Sequence, residues 1–354
     1  MFAKRPLLMT LAAGLLAAST CAMAQESVPN LPKTQLQVVG GLNNLTAYQD
    51  FERPFWTETI PKLSDGRVTA TIKGFPEMGL KGPEIMRLIG QGVIPIGTAT
   101  LAYFATDNAI NEAIDLAGLS PSAETARKVT DAFAPVYAKY YAKQGVKVLG
   151  FSTYPAQVLF CNAEIHGLAD IKGKKVRTSS RTQAEFVQAL GGTSVTLPFG
   201  EVVPALQNGV VNCAITGSMS GYSAKWYEVS THLLALPINW NQQIHAANLN
   251  YWKKLDPKVQ KFIEDNFHLM TDAIWADAAK ATQEGYDCNS GAAACPLKEK
   301  GHMKVVEPTD ADKALLKKIT HDVIVPKWAA RCSADCVKDF NDTIGKKLGV
   351  VAQK

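Results

Sequence analysis

Strand-like and helix-like periods alternate along most of this chain, and that alternation limits it to layered α/β architectures. Gln35-Leu36-Gln37-Val38-Val39 begins with polar and apolar residues in turn, and Val68, Ala70 and Ile72 alternate with Thr69 and Thr71. Further strands are expected over 93–98 (with Pro95 weakening the case), 146–151, 174–178 and 210–215. Helices are expected between them. Thr46 and Gln49 fit a capping box for a helix to about Ile60, kinked at Pro54. A short helix covers 84–91, and a long one opens at Ser120-Pro121 and closes at Gly145, with Pro135 as a kink. Others are expected over 181–190, over 201–208, and from Asp256-Pro257 to beyond Lys280. Ile263, Phe267, Met270 and Ile274 recur there at helical spacing and read as core. Strands separated by helices imply mainly parallel sheets. At roughly 150 residues per domain, 354 residues suggest two. No stretch has linker composition, so the chain is expected to cross between domains through structured segments.

The first 24 residues read as a secretory leader. Lys4 and Arg5 form a charged start, Leu7 to Ala18 an apolar run too short to span a bilayer, and Ala22-Met23-Ala24 a cleavage site before Gln25. Cys21 raises lipidation as the minor alternative, but Ala18-Ser19-Thr20 lacks the expected Leu three positions before it. No second run of about 20 apolar residues follows, so an exported, soluble chain is expected.

Export changes how the cysteines read. Without Cys21, six remain: Cys161, Cys213, Cys288, Cys295, Cys332 and Cys336. An even count in an oxidising compartment favours disulfides. The short C-terminal spacings suggest Cys288 with Cys295 and Cys332 with Cys336, leaving Cys161 with Cys213. The alternatives are a zinc site, for which no Cys-x-x-Cys pair is present, and two buried free thiols at 161 and 213.

Signals for catalysis are absent. There is no phosphate-loop, dinucleotide-binding, zinc-protease or nucleophile-elbow motif; Gly217-Ser218-Met219-Ser220-Gly221 has its serines at the wrong offsets. His166, His232, His245, His268, His302 and His321 form no triad or ligand pattern, although His232 and His245 could meet around a loop. The net charge of +5 falls to +3 once Lys4 and Arg5 are removed, too weak a bias to indicate nucleic acid. Binding is favoured over catalysis, with no cofactor or metal expected.

One ordered series of motifs is specific. It runs from Leu168-Ala169-Asp170-Ile171-Lys172-Gly173-Lys174-Lys175-Val176-Arg177 through Gln183-Ala184-Glu185-Phe186, Ala189-Leu190-Gly191 and Leu197-Pro198-Phe199-Gly200-Glu201-Val202 to Ala205-Leu206-Gln207-Asn208-Gly209-Val210-Val211-Asn212. Ser64-Asp65-Gly66-Arg67-Val68 and Gln91-Gly92-Val93 precede it. This series resembles the solute-binding proteins of TRAP (tripartite ATP-independent periplasmic) transporters over most of residues 35 to 285. The resemblance implies the type II periplasmic-binding-protein fold: two α/β lobes joined by hinge strands, with a cleft between them and a long bracing helix. The lobes would comprise 25–154 plus about 243–283, and 155–242 plus about 284–354. It also implies capture of a small organic acid by lobe closure, and transient delivery to TRAP permease subunits by a monomer in the periplasm.

Arg177 matches the family's carboxylate-pairing arginine. A planar guanidinium offers two parallel N–H donors, which lysine cannot reproduce. Phe199 matches an aromatic near the ligand, and Thr216 falls where relatives place a polar cleft residue. Gln157 falls near a second arginine of some relatives, so a monocarboxylate is favoured. Asn43, Asn44 and Tyr103 fall in loops expected to face the cleft. Tyr222 and Trp240 could stack on a ring, and Ser180 and Arg181 open a helix beside Arg177. The rival readings are an exported enzyme with an unmarked site, and the ligand-binding partner of a sensor.

Overall fold

A computed structural model describes residues 30–354; the leader, its cleavage site and Cys21 lie outside the described residues. Eleven strands form two sheets. They are β1 (Thr34–Gly40), β2 (Val68–Gly74), β3 (Ile96–Thr100), β4 (Val146–Ser152), β5 (Gln157–Cys161), β6 (Lys175–Thr178), β7 (Thr193–Thr196), β8 (Cys213–Gly217), β9 (His232–Asn239), β10 (Gln243–Asn248) and β11 (Lys304–Val306). One sheet has the order β2-β1-β3-β10-β4, the other β11-β9-β5-β8-β6-β7.

Both sheets are mixed. β1 pairs in parallel with β2 and β3, and β6 with β7 and β8, as βαβ crossovers require. β10 runs antiparallel to β3 and β4, and β5 antiparallel to β8 and β9. The mainly parallel expectation is thus corrected: the antiparallel strands are those that pass between the sheets. β4 continues into β5 through 153–156, and β9 into β10 through 240–242. Gln243 pairs with Ser152 in one sheet and Asn239 with Gln157 in the other. Two antiparallel runs of chain therefore lie side by side through both sheets.

Local chemistry shifts several expected boundaries. Thr46 makes no side-chain cap; it is already helical, and the chain winds through wide π-type turns over 47–52 and 55–59 before a short α-helix at 60–63. β3 begins after Pro95, which has no N–H to give a ladder. The long helix is Ala123–Ala142, not opened by Pro121: Ser122 Oγ accepts from Thr125 N and sets the start. The expected helix from Asp256 is two helices, Pro257–Asn266 and His268–Ser290. Ile263, Phe267, Met270 and Ile274 are all buried there, the Phe267 ring packing edge-on against Phe55 and Trp56.

The 23-residue helix His268–Ser290 touches both sheets' neighbourhoods. Trp275 Nε1 donates to Phe151 O of β4, while Thr282 Oγ1 accepts from Ala156 N and Thr282 O from Ser218 Oγ. Gly285 is where it crosses the turn at 218–219. A Cβ at that position would lie 2.4 Å from Met219 N and 2.5 Å from Ser218 C. The C-terminal helices pack on the segment before the long helix: Trp328 Nε1 donates to Ala109 O at 2.8 Å and Thr320 Oγ1 to Ala117 O at 3.0 Å.

Cys161 is joined to Cys213, Cys288 to Cys295 and Cys332 to Cys336. Cys161 and Cys213 are direct partners across β5 and β8. Cys332 and Cys336 span the break between helices Val325–Arg331 and Ala334–Phe340, where Ser333 caps the second helix. Among the described residues no cluster of His, Cys, Asp and Glu could hold a metal ion, and no helix is long and apolar enough to cross a membrane.

Replacing Gly285 with alanine forces its Cβ into backbone that has no room to yield. A loss of about 1–3 kcal/mol is expected, read as a lower urea midpoint with an unchanged slope.

Candidate functional site

Arg177 sits in β6, one strand from the crossing pair, because Val176 and Arg177 register with Cys213 and Ala214 of β8. Its side chain is only 1% exposed. Nε and one Nη donate to Leu197 O at 3.0 and 2.8 Å, and the other Nη donates to Ile215 O at 2.8 Å. A guanidinium carries five N–H donors. Three are used here, leaving one on each terminal nitrogen. No carboxylate among the described residues pairs with it. Burial accordingly pulls its pKa down to about 10, with Tyr103 near enough to oppose the shift. A buried cation with no counter-charge is costly, and each terminal nitrogen keeps one N–H to donate to an anion.

Two cavities lie beyond this strand end, and Arg177 itself is in the lining of neither. One, of about 450 Å³, is lined by Leu42, Asn43, Asn44, Phe75, Leu80, Lys81, Tyr103, Phe199, Glu201 and Trp226, among others. The other, of about 340 Å³, is lined by Lys81, Tyr103, Thr106, Ser179, Ser180, Arg181, Thr196 and Leu197, among others. Tyr103 and Lys81 wall both. Lys81 Nζ meets Glu201 Oε1 at 2.9 Å, joining the loop after β2 to the turn after β7. A cavity against the C-terminal helices, lined by Lys139, Tyr140 and Asp335 among others, borders none of the expected ligand-site residues.

The expected site residues divide between the cleft and its supports. Asn43, Asn44, Tyr103 and Phe199 line the larger cavity, and Phe199 stacks on Trp226 at 5.6 Å. Ser180 and Arg181 line the smaller one; Ser180 Oγ also caps the helix Arg181–Ala189 by accepting from Gln183 N. Thr216 is buried in β8 beside Ile215, whose carbonyl holds Arg177. Gln157 is buried at a crossing, its Nε2 donating to Pro155 O. Tyr222 and Trp240 line neither cavity. Tyr222 stacks on Tyr227 and bonds to Glu299 O, while Trp240 Nε1 donates to Ser120 O. His232 and His245 do not meet: they lie in different sheets.

Two buried carboxylates carry no sequence signal. Asp115 accepts from Asn239 Nδ2, Trp240 N and Asn241 N at 2.7, 2.8 and 2.9 Å, holding the second crossing. Asn239 Oδ1 accepts from Gln183 Nε2, and Gln183 Oε1 from Ser179 N, so the crossing is bonded through to the smaller cavity. Glu52 accepts from Gly41 N at 2.8 Å, and a chain runs from it through Thr98 Oγ1, His245, Ser152 Oγ and Gln243 to the Tyr154 hydroxyl. With Glu52 protonated the chain is complete: its O–H donates to Thr98, Thr98 to Nδ1, Nε2–H to Ser152, and Ser152 to Gln243 Oε1; with Glu52 ionised the bonds up to Ser152 reverse, and Ser152 has no hydrogen left for Gln243 Oε1. Burial pushes Glu52 up to about 7 and His245 down to about 3.

These shifts have opposite consequences. Stability from protonated Glu52 is complete below its unfolded value of about 4.5 and is lost as pH rises through about 7. That from neutral His245 is lost as pH falls below about 6.5. Glu52→Gln keeps the donor and acceptor but removes the proton. The unfolding free energy at pH 8 relative to that at pH 5 should therefore be higher in this variant than in the unsubstituted protein, by on the order of 2 kcal/mol, because the Glu52 loss is gone and the His245 contribution, which grows over the same range, remains. Parallel urea titrations at the two pH values read the difference.

Comparisons with known proteins agree with this architecture. The family model described as bacterial extracellular solute-binding protein, family 7 (DctP), matches residues 44–327. The ectoine-binding periplasmic protein TeaA of Halomonas elongata is 28% identical over 131 residues, 37% of this chain and 38% of TeaA. A Sulfitobacter solute-binding protein is 25% identical over 183 residues, 50% of this chain and 54% of its own; the matches thus span about half or less of these curated relatives. Among solved structures, DctP7 of Bordetella pertussis, a solute receptor binding pyroglutamic acid, superposes with a TM-score of 0.78 at 20% identity, covering 87% of this chain and 98% of its own. A TRAP solute-binding protein of Desulfovibrio salexigens with bound orotic acid superposes with a TM-score of 0.76 at 20% identity, covering 88% and 98%.

Proposed function

Because the chain belongs to family 7 of the bacterial extracellular solute-binding proteins, we propose that it captures a small organic monocarboxylate in the periplasm and hands it to a TRAP membrane permease, performing no chemistry itself. The observation that carries this reading is the buried Arg177 guanidinium, unpaired with any described carboxylate and holding one spare N–H on each terminal nitrogen. A ligand carboxylate supplies the missing charge. The pyroglutamic and orotic acids of the two structural relatives have the same group to offer.

The walls narrow the ligand. Leu42, Phe75, Leu80, Phe199 and Trp226 present apolar and aromatic surface, with Asn43 and Asn44 as uncharged polar groups. A compact ring or short alkyl body fits such walls better than a polyhydroxylated sugar acid, whose hydroxyls would go unsatisfied. With Gln157 uncharged, Arg177 has no second buried cation beside it for a dicarboxylate. Thr216 and Tyr103 complete the carboxylate end, and Ser180 and Arg181 flank it. The lobes are 25–154 plus about 243–283, and 155–242 plus about 284–354. They close about the twin crossings at 153–156 and 240–242, and the protein works as a monomer after removal of its leader near Ala24.

A thermal-shift screen of protein from Gln25 onward, stripped of co-purified ligand by refolding, tests the reading. An acid at about 100 times its Kd should add about 2.7 kcal/mol of stability. Arg177→Lys keeps the charge but loses the fork, and should cost about 2–5 kcal/mol of binding, a large part of the roughly 8 kcal/mol that micromolar affinity represents. A hit that binds Arg177→Lys equally well removes Arg177 from the site. No hit among organic acids overturns the carboxylate reading.

A further inference from the structure

Most lysine pairs among the described residues are local, such as Lys128–Glu124 and Lys261–Asp265, each four residues apart on one helix, and the long-range pairs Lys147–Glu264 and Lys225–Glu299 each stay beside one sheet. The Lys81–Glu201 pair does not. Lys81 and Glu201 are 120 residues apart in sequence and belong to the surroundings of different sheets. They meet at the border of the two cavities, with Lys81 walling both.

The loop that presents Lys81 is held in place. Lys81 N donates to Glu84 Oε1 at 3.0 Å. Gly82 has φ +111°, a region closed to most side chains, and a Cβ there would lie 2.5 Å from Tyr103 Cε2. The Tyr103 ring therefore packs directly beneath the loop, and it lies within electrostatic reach of Arg177.

We propose that Lys81 and Glu201 form a latch across the cleft mouth, a positioning pair that holds the two edges together and sets how fast a bound solute leaves. The part concerning solute release rests on the solute-capture reading; the latch itself does not require a ligand. Both side chains are exposed, so the pair biases the equilibrium modestly and yields to salt. A shuttle needs that balance, because a stronger tie would hinder unloading.

Pulsed electron spin resonance on disulfide-intact protein tests the latch without ligand. Nitroxides at Lys73→Cys and Ala189→Cys, exposed positions beside the two sheets, report closed and open distances. Lys81→Met or Glu201→Gln should each lower the closed-to-open ratio by about 1.5- to 5-fold, and the double variant should go no lower. Raising salt should shift the unsubstituted protein the same way and leave the double variant unmoved. Singles that match the unsubstituted protein, a double whose effect is the product of the singles, or a single distance throughout overturns the latch. In a second arm, pyroglutamate dissociation should be faster in the singles by the same factor. Failure of pyroglutamate to bind any of the proteins counts against that ligand alone, and the label distances still decide the latch.

Discussion

Two antiparallel runs of chain, 146–161 and 232–248, are shared by both sheets, and everything else is arranged around them. A strand that leaves one sheet and enters another must keep its backbone groups bonded through the gap. Here the gap is short, and side chains supply the missing partners. Asp115 takes the two N–H groups exposed at 240–241, and Thr282 takes that of Ala156. The cost is a carboxylate out of water, which burial pushes up to about 7 against three donors that pull it down. In return the two layers are tied to each other at the crossings, and loops from both lie beside the same cavities.

Arg177 is placed by the same frame and carries the opposite imbalance. Its neighbours offer two carbonyls and no charge. Replacing its water by neutral dipoles leaves the guanidinium under-compensated. A site of this kind prefers an anion strongly without needing to be large. On the proposed function, selectivity among anions falls to the walls, where Phe199 on Trp226 and the Phe75 ring leave few groups to bond a hydroxyl.

The sequence was most legible where one face of an element meets water. β1, β2 and the helix Arg181–Ala189 keep an alternating or periodic pattern, and Ser180 marks the helix start. β5 and β10 are buried on both faces from end to end, so no period marks them; β9 and the short strands β7 and β11 are likewise not expected, whereas β3 and β8, buried throughout, are. Thr46 makes no cap because its own backbone is already helical. Arg177 was legible through its match to the family's carboxylate-pairing arginine, not through its position alone. Glu52, Thr98, Ser152 and His245 come from four separate elements, and the Lys81–Glu201 pair spans 120 residues. No local spacing encodes such meetings; they exist only once the chain has folded.

The close crossing at Gly285 limits how the molecule can flex. At that point the helix His268–Ser290 rests on the backbone of 218–219, and Trp275 ties it to β4. Thr282 is bonded on both sides of the crossing. Any rotation between the sheets is therefore absorbed in the two turns from 275 to 282. An α-helix bends over so short a length by stretching hydrogen bonds on one side. The resisting force grows with angle, so the two halves are coupled as by a leaf spring, with a resting posture to which they return.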